Sequence, residues 1–506
     1  MGYEKTVARN LSRIEARKLG LALLVGCCVV ILTYFISMSE TSVDQQPSVA
    51  YRVGSNEAVE GKTRLQSHER GRKTEDQHGN TADEGVHRKN SSTIPHSITK
   101  EEKREPKQPE AEKIHAPKRD DRMIQMMKPI CDFSNPRTEF CEMKGDVRIH
   151  GKSSSVVFVS PHQPREEEWK VVPYVRKQME NIPTVTVRAA ANGGASANLP
   201  RCTVNQAVPA IVFALGGFTG NYYHDFTDVL LPLFLTARQF DGDVQFLITN
   251  IQPWWLLKYQ PIIKGLTRYE LVDLDHSDEV LCHPHVMVGL RFHNDLIIEP
   301  ARAPNAYSML DFTEFLRGTY SLPRDHAISL REHPTKKPRL LVVERKGKRR
   351  FVNVPEIVRM AEESGFEVVR TDAKFGDVAG FASVVNSCDA IMGVHGAGLT
   401  NFVFLPKNAV LIQIVPCCEL EGMAAHTFRF PSSDAGLHYL EYNITVEEST
   451  LLDLYPRDHP VFTDPQSLHR QGFFKMGAVY LAKQNVRLDV NRFRPFLLKA
   501  MDLLRQ

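Results

Sequence analysis

The sequence has almost no excess charge of either sign. It contains 63 Lys and Arg residues against 60 Asp and Glu residues, a net charge of +3 over 506 residues. Its most charged segment, residues 100–107, alternates basic and acidic side chains. Because nucleic-acid binding needs a concentrated excess of cations to neutralise phosphates, the composition argues against a nucleic-acid-binding protein.

Two common cofactor motifs are also missing. There is no Cys-x-x-Cys, and the CHPH run at residues 282–285 has no second ligand pair at zinc-finger spacing. We therefore interpret this run as strand and turn residues and predict no metal site. The Gly-x-Gly-x-x-Gly fingerprint of dinucleotide binding is absent as well, which disfavours a redox nucleotide.

Residues 19–38 form the one long apolar run, with Cys27 and Cys28 inside it. At helical rise this run spans about 30 Å, the thickness of a bilayer interior. Cations precede it and the first charges after it are acidic, which predicts a signal anchor with residues 1–18 in the cytosol. A cleaved signal peptide is the alternative, since Ser37 and Ser39 loosely imitate a cleavage site. The preceding cations are Lys5, Arg9, Arg13, Arg17 and Lys18.

Residues 39–125 have the composition of a disordered stem. Between positions 41 and 122 the only aromatic residue is Tyr51, so this segment cannot bury enough apolar surface to offset its conformational entropy. We expect a spacer that holds a catalytic domain away from the membrane. Outside the cytosol, Asn90 and Asn443 would be acceptors for N-glycosylation.

From residue 126 onward the composition is globular and too long for one ordinary core. We expect two domains, an N-lobe at 126–330 and a C-lobe at 331–506 that ends in a helix. The cysteines outside the apolar run are odd in number, so at least one thiol is free or paired between chains. Cys131 and Cys141 are the most plausible local disulfide in an oxidising compartment.

The C-terminal half alternates short apolar runs with amphipathic ones. The pattern predicts strands at 339–343, 366–370, 390–394 and 409–415, with helices at 354–364 and 375–387. This βαβαβ order is typical of a parallel, doubly wound sheet that binds ligands at the carboxyl ends of its strands. Without the dinucleotide fingerprint, a nucleotide-sugar is the better prediction.

A turn of small residues follows the predicted strand 390–394. His395, Gly396, Ala397 and Gly398 lead into a helix expected to start at residue 399 or 400. Such a turn lets backbone N–H groups approach a phosphate at a helix N-terminus, although an ordinary tight turn has the same composition.

The basic loop 345–350 leaves the neighbouring strand end. A solvated surface loop is its plain interpretation. Because strand ends converge at one sheet edge, however, its arginines could face the same phosphates as the small-residue turn.

A second constellation lies in the N-terminal half. The predicted strand 210–215 and glycine-rich turn 216–220 lead into a helix from about 221 to 238. His224 and Asp228 lie one helical turn apart, and a carboxylate beside a histidine is what a general base needs. Asp225 is also a natural helix N-cap, which would be a purely structural role. The adjacent Tyr222 and Tyr223 could stack on a sugar ring.

Three segments carry a family resemblance: GNYYHDFTDVLLPLF, ERKGKRRFVN and VHGAGLTNFVFLPKNAVLIQIVP. Together they resemble glycosyltransferase family 61, most closely its plant, grass-type branch that decorates xylan with arabinofuranose or xylose. The resemblance covers the chain from about residue 131 to its end. It implies an α/β fold of GT-B type with two Rossmann-like lobes, an inverting mechanism, a UDP-sugar donor and a Golgi location.

By motif, the resemblance places the small-residue turn on the donor pyrophosphate and the basic loop beside it. The implied donor-binding residues are Arg345, Arg349, Arg350, His395, Gly396, Ala397 and Gly398. The acceptor hydroxyl would lie near the N-terminal constellation, where we rank Asp228 first as catalytic base, Asp225 second and His224 third.

The expected protein is a single-pass type II Golgi enzyme with a lumenal catalytic domain. It would move a pentose, arabinofuranose or xylose, from a UDP-sugar onto side-chain positions of xylan, without metal or other cofactor. We expect the enzyme to form complexes with other Golgi glycosyltransferases. The alternatives are a β-1,2-xylosyltransferase acting on N-glycans, another UDP-sugar transferase of the family, or a non-catalytic Golgi glycan-binding subunit. A metal-dependent GT-A enzyme is a further alternative, because residues 241–243 and 273–275 both spell Asp-x-Asp.

Overall fold

The computed structural model describes residues 130–160, 166–191, 199–372 and 376–506. The predicted cytosolic tail, membrane anchor and stem, together with Asn90, lie outside these residues. All described residues belong to one unit, Glu112–Gln506. Within this part of the chain, no helix combines the length and apolar character needed to cross a membrane.

The first sheet is mixed rather than purely parallel. Its strands run in the order β4-β5-β3-β2-β10-β7-β8-β9, with β1 paired to β2 and β6 paired to β10. These strands are β1 (Cys131–Asp132), β2 (Phe140–His150), β3 (Ser155–Ser160), β4 (Glu167–Val171), β5 (Val185–Ala191), β6 (Val204–Asn205), β7 (Ala210–Ala214), β8 (Gln245–Thr249), β9 (Val272–Asp273) and β10 (Val280–Val288). Strands β10, β7, β8 and β9 are parallel, whereas β2 joins them antiparallel. The parallel pairing expected of a Rossmann-like lobe therefore runs continuously only through β10, β7, β8 and β9.

The second sheet has five parallel strands in the order β12-β11-β13-β14-β15. They are β11 (Arg339–Glu344), β12 (Glu367–Asp372), β13 (Ala390–Val394), β14 (Val410–Val415) and β15 (His438–Asn443). Strands β13 and β14 are buried along their whole length, as expected for a sheet covered on both faces. The strands predicted in this half are confirmed to within two residues.

The helices are short, and several contain 3₁₀ or π turns. The α-helices are Tyr222–His224, Leu231–Ala237, Pro253–Lys258, Gln260–Leu266, Met309–Thr319, Val354–Glu363, Val378–Asn386, Glu421–Ala424, Phe430–Asp434, Pro460–Thr463, Pro465–His469, Phe473–Met476 and Val490–Leu503. The π-helical turns are Asp225–Leu230, Ala425–Arg429 and Gly477–Leu481. The 3₁₀ helices are Gly151–Ser153, Arg238–Phe240, Pro300–Arg302, Pro304–Ala306, Ala397–Phe404 and Thr450–Asp453. The expected C-terminal helix is present as Val490–Leu503.

Helical segments that follow strands of the two sheets pack against each other in one shared apolar core. The buried rings of Phe226 and Phe404 have centroids 6.0 Å apart. Beside them, the Tyr222 hydroxyl donates to Asn401 Oδ1 at 2.8 Å. Full burial of a side chain of phenylalanine size stabilises a fold by about 1.5–3 kcal/mol. These contacts therefore fix the helical segment 222–240 against the 3₁₀ helix Ala397–Phe404.

The cysteines pair as an oxidising compartment would allow. The predicted disulfide between Cys131 and Cys141 is confirmed, and Cys202 pairs with Cys282. Cys417 pairs with its neighbour Cys418. Cys388 is a buried free thiol, which accounts for the odd count.

The CHPH run lies within β10, as the strand interpretation expected. His283 contacts the Val208 carbonyl and His285 contacts Glu142, so both histidines have structural partners.

Candidate functional site

The first half of the site lies at the start of helical segment 222–240. Asn221 caps it by accepting from the Tyr223 N–H, so the N-cap role considered for Asp225 is wrong. A π turn, Asp225–Leu230, interrupts the helix directly after His224. Such turns are rare and occur often at functional sites. The π turn widens the helix at the point where the side chains of Asp225 and Asp228 are buried.

His224 and Asp228 form a bonded pair. His224 Nδ1 lies 3.0 Å from Asp228 Oδ2, which also accepts from Arg176 Nε at 2.7 Å and from the Tyr174 hydroxyl at 3.0 Å. The Asp228 side chain is fully buried, whereas 18% of the His224 side chain is exposed. Burial and the neighbouring carboxylate of Asp228 hold the pKa of Tyr174 well above its usual value. The carboxylate therefore orients the imidazole, and the imidazole faces solvent.

One oxygen of this pair is left without a partner. Asp228 Oδ1 is buried and accepts no hydrogen bond among the described residues. An unpaired oxygen on a buried carboxylate destabilises the fold, and such groups call for an explanation; a functional site at the partly exposed His224 is one.

Arg176 and Tyr174 were not found from the sequence. They lie more than 50 residues before Asp228 along the chain and belong to no recognisable motif. Arg176 also approaches Asp295 at 3.5 Å, and Asp295 in turn binds Arg137 at 2.8 Å. Ion pairs thus connect Asp228 to Arg176, Arg176 to Asp295 and Asp295 to Arg137, and this network holds the buried end of the His224–Asp228 pair.

Asp225 points into a different environment. Its two oxygens accept four hydrogen bonds, at distances between 2.7 and 3.1 Å, and its side chain is fully buried. The donors are the Gly220 N–H, Trp255 Nε1, Lys258 Nζ and the Tyr259 hydroxyl. A carboxylate with this many donors is already satisfied, so its geometry fits a structural clamp better than a base.

The second half of the site is the small-residue turn after β13. Gly396 has φ of +145°, a conformation that L-residues with a side chain rarely adopt. A Cβ atom there would lie 2.7 Å from Arg345 Nη1 and 2.9 Å from Arg349 Nη1. Arg349 Nη1 also donates to the His395 carbonyl at 2.9 Å. Two guanidinium groups therefore rest directly on the turn.

The segment after this turn is the 3₁₀ helix Ala397–Phe404 rather than an α-helix starting at residue 399 or 400. All of it except Ala397 is buried against neighbouring elements. A Cβ at Gly398 would lie 3.1 Å from Val343, so tight packing on β11 accounts for that small residue. The predicted strand–turn–helix order is right, and the helix type is wrong.

The two arginines are half-buried and have no counter-charge. Neither Arg345 nor Arg349 forms an ion pair within the part of the chain that the structure describes. Burial lowers the pKa of Arg345, and burial together with the adjacent Arg345 charge lowers the pKa of Arg349 to about 10. Arg349 Nε has no acceptor. Two unpaired cations held together in this way attract an anion.

His395 is neutral in this setting. Burial and the charges of Arg349 and Arg345 lower the pKa of His395 to about 3. Gln413 Nε2 donates to its Nδ1 at 2.8 Å, which leaves the ring proton on Nε2. The site therefore combines a neutral hydrogen-bond donor, His395 Nε2, with the two arginine cations.

Arg350 is placed differently from the other two arginines. Its side chain is exposed, while its backbone N–H donates to Asn485 Oδ1 at 3.1 Å and its carbonyl accepts from the Val486 N–H at 2.9 Å. The structure thus brings Arg345 and Arg349 to the turn but not Arg350, whose donor role stays a prediction.

Aromatic contacts connect the two halves of the site. Phe428 lies between them, with its ring centroid 6.1 Å from Tyr223 and 5.6 Å from His395. Tyr222 is buried and bonded to Asn401, so its ring is not available to stack on a sugar. The constellations predicted separately in the two halves therefore belong to one region.

The side chains of the Asp-x-Asp motifs have structural partners, and the second motif begins at the end of β9. Asp241 adopts a positive φ, and Asp243 pairs with Arg268 at 2.6 Å. Asp273 binds His276, while Asp275 Oδ2 accepts from the Asn250 N–H. Among the described residues, no three potential metal ligands form a cluster.

The fold and this site define a class: α/β proteins with a glycine turn at the carboxyl end of a parallel strand, in contact with half-buried arginines. Residues 222–412 match the family Glycosyltransferase 61. Over 396 residues the chain is 48% identical to a beta-1,2-xylosyltransferase of Oryza sativa subsp. japonica, covering 74% of this chain and 84% of that protein. The chain belongs to glycosyltransferase family 61.

Two other relatives have informative names. An alpha-1,3-arabinosyltransferase of Oryza sativa subsp. japonica is 50% identical over 385 residues, which cover 75% of this chain and 65% of that protein. The chain thus matches just under two thirds of this relative's length. A xylan glycosyltransferase of Arabidopsis thaliana is 33% identical over 390 residues, covering 73% of this chain and 78% of that protein.

Proposed function

We propose that the protein is an inverting glycosyltransferase that transfers a pentose, arabinofuranose or xylose, from a UDP-sugar onto xylan. The observation that carries the donor half is the pair of half-buried guanidinium groups, Arg345 and Arg349, on the Gly396 turn without a carboxylate partner. A diphosphate would supply the missing negative charge. The names of the family relatives support the pentose and the xylan acceptor.

The donor diphosphate would bind at the carboxyl ends of β11 and β13. Arginine binds phosphate oxygens bidentately, and the unpaired Nε of Arg349 is one such donor. His395 Nε2 would add a neutral hydrogen bond. Together these groups would stabilise the negative charge that develops on the leaving diphosphate in the transition state. Such electrostatic stabilisation is usually the largest single contribution to catalysis.

We propose His224 as the base, with Asp228 as its positioning residue. His224 Nε2, on a side chain that is 18% exposed, would accept the proton of the acceptor hydroxyl, while Asp228 Oδ2 holds Nδ1. The hydroxyl oxygen forms a bond to the anomeric carbon as the bond from that carbon to the diphosphate oxygen breaks. The bonding pair leaves with UDP, and one displacement inverts the anomeric centre. This order differs from the sequence-based ranking because Asp228 is buried and already accepts three hydrogen bonds.

The proposal extends to architecture and location. We propose a GT-B arrangement in which the mixed sheet serves the acceptor and the parallel sheet serves the donor. Protein cations in place of a metal would make transfer independent of divalent ions. The apolar run 19–38, with cations before it, supports a type II Golgi anchor and a lumenal catalytic domain.

A donor screen tests the function directly. Full-length protein is incubated with UDP-arabinofuranose, UDP-arabinopyranose, UDP-xylose or UDP-glucose and xylohexaose, and the product linkage is determined. We expect transfer from one of the pentose donors, with the same rate in excess EDTA. Absence of transfer from every pentose donor would overturn the proposed activity, and loss of transfer in EDTA would overturn the metal-independent mechanism.

A further inference from the structure

Phe218 lies directly beside the proposed base. Its ring stacks on the imidazole of His224, with centroids 4.6 Å apart, and the Arg176 guanidinium lies 5.7 Å from its centroid. Nevertheless 39% of this large apolar side chain is exposed. The Phe218 ring therefore forms an apolar surface that borders the reaction centre.

Trp254 continues this surface. The edge of its indole faces Gly220, where a Cβ atom would lie 3.3 Å from the ring, and 47% of the side chain is exposed. Gly220 belongs to the same turn as Phe218, because the Asn221 N–H donates to the Phe218 carbonyl at 3.0 Å. Leu257, one helical turn beyond Trp254, is 74% exposed. An apolar strip thus runs from His224 across the turn to the helix Pro253–Lys258.

The strip is held rigidly to the catalytic helix. Trp255 and Lys258, on the same short helix as Trp254, both donate to Asp225. Asp225 also accepts from the Gly220 N–H. Because one carboxylate ties the turn and the tryptophan-bearing helix to segment 222–240, Trp254 keeps a fixed distance from His224.

We propose that Phe218 and Trp254 form an acceptor platform on which successive sugar rings of a β-linked glycan chain stack, so that the enzyme selects a polymer over a short saccharide. This inference rests on the proposed function. Faces of pyranose rings that present only C–H groups pack well against the electron-rich faces of aromatic rings. A single sugar at His224 would cover Phe218 and leave Trp254 and Leu257 in water, whereas a chain would cover the whole strip.

The surface has features that favour a glycan over a protein partner. It adjoins the partly exposed side chain of His224, and Gln252 beside it accepts from Trp254 Nε1 at 3.3 Å. Apolar faces bordered by hydrogen-bonding groups match an amphipathic sugar ring. Exposed aromatic side chains elsewhere, such as Phe474, have no comparable neighbour in the site.

Binding and turnover are measured separately to test the platform. Full-length protein saturated with UDP is titrated with xylobiose or xylohexaose while tryptophan fluorescence is recorded. KM and kcat are then measured for both saccharides with the active UDP-pentose. The variants are Trp254→Ala, Trp254→Phe and the matched control Phe474→Ala, which removes an exposed aromatic ring outside the platform.

We expect xylohexaose to change the fluorescence of the wild type and to lose that effect in Trp254→Phe. Trp254→Ala should raise KM for xylohexaose by about fivefold to tenfold, consistent with the loss of one aromatic contact. UDP affinity and kcat should stay unchanged, KM for xylobiose should rise less than KM for xylohexaose, and Trp254→Phe should retain most of the wild-type KM. Phe474→Ala should behave as the wild type.

The possible outcomes separate the platform from the enzyme activity. Equal KM values for xylohexaose in wild type and Trp254→Ala would overturn the platform while leaving the transferase intact. Saturable, Trp254-dependent binding of xylohexaose without any transfer would retain the platform and overturn the catalytic function. Absence of both binding and transfer would overturn the two proposals together.

Discussion

At the scale of single residues, access to solvent separates the three candidate bases. His224 keeps part of its ring exposed, whereas Asp228 and Asp225 are fully buried with several donors each. The sequence places these residues correctly on one helix start, because their spacing is a local signal. It could not show their burial, which depends on Tyr174 and Arg176 from a distant segment.

Replacing His224 tests its role in proton transfer. His224→Ala should lower kcat by about 10²- to 10⁴-fold, the usual effect of losing a general base, while UDP affinity stays near the wild-type value. Added imidazole should restore part of the turnover, because a free base can occupy the vacated space. Asp228→Asn should also lower kcat, but imidazole should not restore it. If His224→Ala turns over normally, Asp228 returns as the first candidate.

Gly396 gives the sharpest test of the donor site. Gly396→Ala should push the Arg345 and Arg349 guanidinium groups off the turn. Since a hydrogen bond to a charged group contributes about 1.5–3 kcal/mol, UDP affinity should fall about tenfold or more. The matched control is Gly347→Ala, because a Cβ there meets no atom within 4 Å. Isothermal calorimetry that finds equal UDP affinity in both variants would contradict the site assignment.

At the scale of secondary-structure elements, the parallel sheet was the most predictable part of the fold. Its strands are continuous apolar runs separated by amphipathic helices, a signal that local sequence carries. The side formed by β1 to β5 was not predicted, because these strands pair in both antiparallel and parallel orientation and are not separated by the amphipathic helices that mark the parallel sheet. The 3₁₀ form of Ala397–Phe404 was also missed because close packing, rather than helix propensity, determines it.

Asp225 connects several of these elements, and its replacement should affect stability first. Asp225→Asn removes the charge that Lys258 pairs with and leaves donors facing an amide. Breaking a buried ion pair costs about 3–5 kcal/mol of unfolding free energy. Thermal unfolding should therefore show a clearly lower Tm than in the control Asp241→Asn, whose side chain is 88% exposed. An unchanged Tm with strongly reduced kcat would instead assign Asp225 to catalysis.

At the scale of the whole molecule, topology and modification are joined predictions. A lumenal catalytic domain should survive protease added to sealed Golgi vesicles and should be digested after detergent. Asn443, exposed at the end of β15, should then carry an endoglycosidase-sensitive glycan. Asn443→Gln and Asn90→Gln should each remove one step of the mobility shift that endoglycosidase causes. Digestion in intact vesicles would reverse the predicted orientation.

The shared core between the two sheets has a consequence for recombination within the family. The Phe226–Phe404 contact and the Tyr222–Asn401 hydrogen bond join residues on opposite sides of the expected lobe boundary at 330. In a chimera that exchanged residues 126–330 between two family members, each of these contacts would join residues from different parents. Crossovers that keep both contacts within one parent should therefore move Ala397–Phe404 together with segment 222–240, so the exchanged unit is discontinuous in the sequence.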